Sequence, residues 1–291
     1  MWPRGNDNQL EITPGEEQDA VSGARGRADG LRHWTMLWLR CQDCRRKRTI
    51  QKNLQRRTGF RLMADLSLRL FGKKLRNPVM NASGTMGYSN EIEALWPIDL
   101  MGAYVTIGLS LRPHHGNPTP RISDACHGVI NSIGLQNMGV DRFFEEHFPF
   151  FRRRRTPILI NFFGFSEEEY VGFAAKVKPD RFIAGLEMNL SCPNVKKGGI
   201  SFGKTPEMVY HIVKRVKSVT DIPVLAKLTP EVNSILDIAR AAVEGGADGL
   251  TLINTMPAAV VDVRRRKITL KGGLSGPVLN PVALRAVHEC S

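Results

Sequence analysis

The sequence has no hydrophobic run long enough to cross a membrane. A transmembrane helix needs about 20 consecutive apolar residues. The longest apolar run here, residues 157–165, is better suited to a buried strand. The chain also begins without the apolar segment of a secretory signal. We therefore expect a protein with no membrane partner.

Cysteine is scarce as well. The chain of 291 residues has an odd and scattered set of five: Cys41, Cys44, Cys126, Cys192 and Cys290. Such a set is not a disulfide framework, which favours a reducing compartment, and we expect the cytoplasm. Cys41 and Cys44 have half the spacing of a zinc site, but no second Cys or His pair follows at the expected distance. We predict no metal site.

Acidic residues are outnumbered, with 28 Asp and Glu against 41 Lys and Arg, for a net charge of +13. The excess is concentrated in residues 1–62, which hold 13 of the basic and 7 of the acidic residues. The rest of the chain lacks a basic groove with interleaved aromatic residues, and the anionic ligands of a metabolic enzyme would account for its mild positive charge. We predict no nucleic-acid partner.

Residues 1–62 also lack the hydrophobic periodicity of a folded segment. Gly, Asp, Arg and Gln dominate them, apart from a short apolar cluster at residues 34–39. A segment of this kind buries too little apolar surface to offset the entropy lost on ordering. We expect a disordered basic extension, followed by a single folded domain over residues 63–291.

From Met63 onward, short apolar runs alternate with helical patterns, which is typical of βα units around a parallel sheet. Apolar residues at helical spacing predict helices over residues 209–216 and 235–243. The predicted strands lie near residues 78–83, 103–109, 157–163, 184–190, 222–228 and 248–253.

Three helix starts are marked by capping signals. Ser166 with Glu169 fits a capping box. Residues 205–206 and 280–281 each place a capping side chain, Thr205 or Asn280, before a first-turn proline. Six strands can be counted, whereas a closed (β/α)8 TIM barrel needs eight. We therefore expect an incomplete barrel, whose last two βα units are absent from this chain or are supplied by another chain.

Reactive residues of such barrels lie at the C-terminal ends of the strands. An Asn at one strand end is more often a turn or cap residue than a ligand. Recurrence at the same position in successive units is what indicates a site. The polar clusters at the predicted strand ends are residues 81–84, 106–108, 161, 189–194, 227 and 254–255.

Four ordered segments carry a resemblance. Residues 116–121 (GNPTPR), 131–137 (NSIGLQN), 189–199 (NLSCPNVKKGG) and 272–277 (GGLSGP) resemble dihydroorotate dehydrogenases, and most closely the class 1B catalytic subunit. The resemblance runs from about Asp65 to the C-terminus. It implies an FMN-dependent oxidoreductase that converts dihydroorotate to orotate in pyrimidine biosynthesis.

The resemblance also implies roles for individual residues. Cys192 matches the catalytic base, and a thiol suits this role because nearby cations can lower its ordinary pKa of about 8.5. Lys227 would stabilise negative charge on the flavin, the alternative being a strand-end lysine that reaches solvent. The implied flavin contacts are Ser83, Ile107, Gly108, Asn161, Asn189, Lys227, Ile253 and Gly276. The implied substrate contacts are Asn131, Ser132, Ile133, Gly134, Leu135, Asn189, Asn254 and Thr255.

One position departs from the pattern. Where the resemblance implies a lysine that contacts both flavin and the substrate carboxylate, this chain has Ile107. One cation would then be missing from the site. Two alternatives therefore stay open beside the dehydrogenase: a related flavin barrel acting on another dihydropyrimidine, and an inactive truncated remnant.

The resemblance finally implies protein partners. The catalytic subunits would pair as a homodimer. They would also bind a subunit that carries FAD and an iron–sulfur cluster and passes electrons to NAD.

Overall fold

The fold is built on a parallel sheet with helices against one face. The structure is a computed structural model, and it describes residues 65–88, 90–191, 193–194 and 200–291. The strands are β1 (Leu68–Leu70), β2 (Lys73–Leu75), β3 (Tyr104–Val105), β4 (Ile122–Ala125), β5 (Gly128–Asn131), β6 (Ile158–Phe162), β7 (Ile183–Asn189), β8 (Pro193–Asn194), β9 (Ile200–Ser201), β10 (Val224–Lys227), β11 (Gly249–Thr251), β12 (Met256–Asp262) and β13 (Lys267–Ser275).

The helices follow the predicted alternation with the strands. A π-helical turn (Phe143–His147) joins the first two α-helices, Val140–Arg142 and Phe148–Phe151, into one continuous segment. Short 3-10 helices cover Ile98–Leu100 and Pro277–Leu279. The α-helices are α1 (Val140–Arg142), α2 (Phe148–Phe151), α3 (Glu167–Lys176), α4 (Pro206–Lys217), α5 (Ile235–Glu244) and α6 (Asn280–Cys290).

The parallel sheet has the strand order β11-β10-β7-β6-β3. It confirms five of the six predicted strands. The first predicted strand is reduced to a single parallel bridge between Met80 and Ala103. Beyond that bridge the side chain of Asn81 takes the place of the backbone ladder, because it bonds both the N–H and the C=O of Val105 at 2.8 Å.

Both faces of the sheet are covered, which explains why its strands read as continuous apolar runs. The larger core lies on the helical face and includes Phe162, whose ring stacks on Phe173 of α3 at 4.8 Å. A smaller core on the other face includes Leu159 and Leu225, and the β1–β2 hairpin contributes Leu70 and Leu75 to it.

This arrangement is the predicted (β/α)8 architecture in incomplete form. Within the described residues the sheet does not close, because it ends at β11 on one edge and at the Met80 bridge on the other. None of the described helices is long and apolar enough to span a membrane.

Two of the three predicted helix caps are confirmed. The Ser166 hydroxyl accepts from Glu169 N at 3.3 Å, and the Thr205 hydroxyl accepts from Met208 N at 3.4 Å. The prediction for Asn280 was wrong. The 3-10 turn that precedes α6 already places Asn280 in helical backbone geometry, so Leu279 is the capping residue and no side chain caps the helix.

A second, antiparallel sheet was not predicted. Its order is β12-β13-β5-β4, and it joins the segment after β3 to the segment after β11. The register places Gly273 of β13 opposite Asn131 of β5. Residues more than a hundred positions apart in the chain therefore meet beside the strand ends of the parallel sheet.

Candidate active site

A cavity of about 460 Å³ lies on the face of the parallel sheet that carries the smaller core. Its volume falls within the range of small-molecule sites. Leu159 and Leu225 form part of an apolar floor, and the two edges of the sheet contribute Met80 and Ile253. The polar side chains in its wall include Asn81, Ser83, Glu187, Lys227 and Thr251.

A buried cluster of polar side chains is centred on Glu187 of β7, which is 3% exposed. Its Oε1 accepts a hydrogen bond from Asn161 Nδ2 at 2.6 Å and lies 3.5 Å from Lys227 Nζ. Its Oε2 accepts from Thr251 Oγ1 at 3.1 Å. The carboxylate thus has partners from the three strands β6, β10 and β11. This satisfies the requirement that a buried charge be paired and hydrogen-bonded.

The amide of Asn161 has one atom without a partner. Its Nδ2 donates to Glu187, and its Oδ1 is buried and accepts no hydrogen bond in the described structure. Gly108 lies beside this oxygen, and a Cβ at that position would come within 2.9 Å of it. A glycine at position 108 therefore avoids a steric overlap with the Asn161 amide.

A second cluster of amides lies at the ends of β7 and β11. Asn254 Nδ2 donates to Asn189 Oδ1 at 2.9 Å and to Ser191 Oγ at 2.8 Å, while Asn254 Oδ1 accepts from Thr255 N at 2.9 Å. Asn189 is two residues beyond Glu187 on β7, so the two side chains share a face of the sheet. The two clusters are therefore continuous.

The loop after β5 joins this cluster through the antiparallel sheet. Asn131 Nδ2 donates to Gly273 O at 3.3 Å, and a Cβ on Gly273 would overlap with Thr255 Oγ1. A Cβ on Gly272 would likewise overlap with Asn131 O. The Gly272–Gly273 pair thus permits the close approach of both Asn131 and Thr255 to β13.

The same loop is tied down on its other side. Asn117 Nδ2 donates to Ser132 O at 3.0 Å and to Ser132 Oγ at 3.1 Å, and Asn117 N donates to Ile133 O at 3.0 Å. Gly134 has a φ of 73°, and a Cβ there would lie 2.7 Å from Asn117 N. Leu135 follows with a φ of 60°. The predicted substrate loop is thus held in one shape by its own neighbours.

The comparison with protein families decides which family this site belongs to. The profile of the family described as Dihydroorotate dehydrogenase matches residues 65–291. The chain belongs to the dihydroorotate dehydrogenase family. The match includes every segment described above.

Several curated relatives of the chain share one name. The protein named "Dihydroorotate dehydrogenase B (NAD(+)), catalytic subunit" from Geobacter metallireducens is 49% identical over 228 residues, which cover 77% of this chain and 75% of that protein. Proteins of the same name from Pelobacter propionicus and Caldicellulosiruptor saccharolyticus are 46% and 45% identical, each over 78% of this chain and 76% of the relative.

Not every predicted site residue lies at the cavity. Ser83, Lys227 and Ile253 line it. Ile107 does not line it; its side chain is half-buried against the larger core. Gly276 is exposed in the turn after β13, with a φ of 110°. Their roles stay predictions, as does that of Cys192, which lies outside the described residues.

Two residues of the candidate site, Glu187 and Thr251, were not predicted from the sequence. A signal for Glu187 was present, because it is a charged residue inside the otherwise apolar strand Ile183–Asn189. A carboxylate there can be accommodated only if partners on neighbouring strands meet it. Thr251 carries no such signal, since threonine is common in strands.

Proposed function

We propose that this chain catalyses the oxidation of dihydroorotate to orotate in pyrimidine biosynthesis, as an FMN-dependent catalytic subunit. The proposal depends chiefly on the family match over residues 65–291. The buried polar cluster around Glu187 supports it, because it lies at the wall of a cavity of suitable size at the strand ends. Active sites of (β/α)8 barrels lie at these ends.

The residues at the cavity fit FMN. Beside the cavity, Asn161 Oδ1 is a buried acceptor without a partner in the described structure, and it lies close to Gly108. Lys227 brings a cation and Ser83 a hydroxyl to the cavity wall. Bound FMN would supply the hydride acceptor. The residues proposed to hold it are Ser83, Ile107, Gly108, Asn161, Asn189, Lys227, Ile253 and Gly276.

The amide clusters suit the substrate. A dihydropyrimidine ring presents carbonyl acceptors and N–H donors in alternation, and an Asn side chain can donate and accept at once. Asn254 and Asn189 already fix each other's orientation at 2.9 Å, so little ordering is needed on binding. The residues proposed to bind the substrate are Asn131, Ser132, Ile133, Gly134, Leu135, Asn189, Asn254 and Thr255.

Cys192 is proposed to take the proton from the substrate carbon. It directly follows Ser191, whose backbone N–H donates to Asn189 Oδ1 at 3.2 Å and whose hydroxyl accepts from Asn254. The residue before Cys192 is therefore anchored in the amide cluster. A thiolate produced near neutral pH would be the base.

The proposal extends to partners and location. The relatives are named catalytic subunits of NAD(+) enzymes. We propose that this chain forms a homodimer and binds a subunit carrying FAD and an iron–sulfur cluster. The scattered set of five cysteines supports a reducing compartment such as the cytoplasm.

The test is an anaerobic mixing experiment with the purified chain. We expect visible flavin absorption that dihydroorotate bleaches, and no bleaching by dihydrouracil, which lacks the carboxylate. Bleaching by dihydrouracil alone would favour the second candidate, a flavin barrel for another dihydropyrimidine, which the uncharged side chain of Ile107 supports. A colourless protein that binds no added FMN would instead indicate an inactive remnant.

A further inference from the structure

The carboxylate of Glu187 has no role in the function proposed above, yet three side chains of the site converge on it. Asn161 Nδ2, Thr251 Oγ1 and Lys227 Nζ lie at 2.6, 3.1 and 3.5 Å from its oxygens. The side chains of Glu187 and Lys227 are 3% and 9% exposed. Both charged side chains are therefore largely shielded from water, and each depends on the other for compensation of its charge.

The carboxylate determines how the Asn161 amide is oriented. A carboxylate only accepts hydrogen bonds, so the amide must turn its Nδ2 toward Glu187. Its Oδ1 is then directed away from Glu187, where it is buried without a partner beside Gly108. A neutral side chain that could both donate and accept would permit either orientation of the amide.

The carboxylate also determines where the Lys227 ammonium lies. Lysine has four rotatable bonds and a compact charge that many positions could accommodate. Among the described residues that line the cavity, the carboxylate paired with this ammonium is that of Glu187, at 3.5 Å. Without this anchor the ammonium would be better hydrated if it turned toward solvent in the cavity.

We infer that Glu187 is a positioning residue: it holds the Lys227 ammonium and the Asn161 amide in the arrangement that receives the flavin. The inference rests on the function proposed above. In this role Glu187 does not contact the flavin, and it affects flavin binding only through Lys227 and Asn161. The alternative is that Glu187 only stabilises the fold.

A double-mutant cycle separates these two roles. The chains are wild type, Glu187→Gln, Lys227→Met and the double variant, and FMN affinity is measured by the change in FMN fluorescence on titration. Glu187→Gln keeps the shape of the side chain and removes its charge. The control is Glu207→Gln, the same substitution at an exposed position on α4, which should leave the Kd unchanged.

We expect each single variant to weaken FMN binding about tenfold or more. The FMN Kd of the double variant should be at most about threefold higher than that of the single variant with the higher Kd, because both substitutions remove the same interaction. Two independent tenfold losses would combine to about a hundredfold loss. Additive losses, or an unchanged Kd in Glu187→Gln, would overturn the inference.

The failure of the proposed function would be recognised separately. If wild type binds no FMN, the proposed cofactor is wrong, and the melting temperatures of the four flavin-free chains then test the pairing. The loss in the double variant should be smaller than the sum of the two single losses, because Glu187 holds Lys227 with or without flavin. Additive shifts would overturn the positioning role even then.

Discussion

Replacing Gly273 by alanine should disrupt the substrate-binding half of the site. The new Cβ would overlap with Thr255 Oγ1 and lie 2.8 Å from Thr255 Cβ, well inside ordinary van der Waals contact. Gly273 is also paired with Asn131 across β13 and β5, so the strand cannot move without displacing Asn131. Overpacking of this kind costs about 1–3 kcal/mol.

The expected consequences follow from that energy. A domain of this size loses about 2–4 °C in melting temperature for each kcal/mol, so Gly273→Ala should melt about 2–12 °C below wild type. Orotate should bind at least about tenfold more weakly, since a shift of Thr255 and Asn131 worth about 1.4 kcal/mol is enough for that. Differential scanning fluorimetry and orotate titration measure the two effects.

Gly172→Ala is the matched control for this experiment. Gly172 lies within α3, and a Cβ there would meet only the flexible side chain of Leu111, at 3.0 Å. Alanine is favoured over glycine inside a helix by about 1 kcal/mol, so the control should melt at or above wild type. If Gly273→Ala has the melting temperature and the orotate Kd of wild type, Thr255 does not approach β13 as closely as described.

Four further predictions can be tested on the same protein. Cys192→Ala should retain bound flavin but stop its bleaching by dihydroorotate; bleaching at the wild-type rate near neutral pH would contradict its role as the base. Ile107→Lys should speed flavin reduction at least about tenfold, because a charge-assisted hydrogen bond is worth about 1.5–3 kcal/mol; equal stopped-flow rates would show that the position does not serve the site. A chain that starts at Met63 should match the full chain in solubility and melting temperature, and a clear loss of either would show that residues 1–62 pack on the barrel. Burial raises the pKa of the Cys290 thiol to about 11, so at pH 7 a thiol reagent should label exposed Cys126 before Cys290; mass spectrometry of the labelled peptides measures the order, and faster labelling of Cys290 would contradict its burial.

The parallel sheet could be predicted because its strands are buried on both faces. Ile158–Phe162 is buried at every residue, and so is Ile183–Asn189. Such segments can be recognised as apolar runs from their own sequence, even when the neighbouring strands are not known. The first strand was the exception, because the side chain of Asn81 replaces part of its ladder, and no apolar pattern reports a side-chain bond to Val105.

The antiparallel sheet could not be predicted in the same way. β4 (Ile122–Ala125) has no buried residue, and β12 (Met256–Asp262) alternates only between half-buried and exposed positions. Its central pairing joins Asn131 to Gly273, which are 142 residues apart. The resemblance identified both segments as part of the site, but only the fold explains why the glycine pair must be there.

The charges of the site bear on the predicted role of position 107. Lys227 would be the natural substitute for a second cation, but its ammonium lies 3.5 Å from the Glu187 carboxylate in a nearly dry environment. A paired ammonium attracts an incoming carboxylate less than a free one, because the ligand also meets the field of the partner anion. The pair formed by Glu187 and Lys227 therefore orients polar groups but adds no net positive charge to the cavity wall. The side chain at position 107 now packs against the larger core, so a lysine there would add that charge only by turning toward the cavity. Its benefit should then be larger for dihydroorotate than for a dihydropyrimidine without a carboxylate.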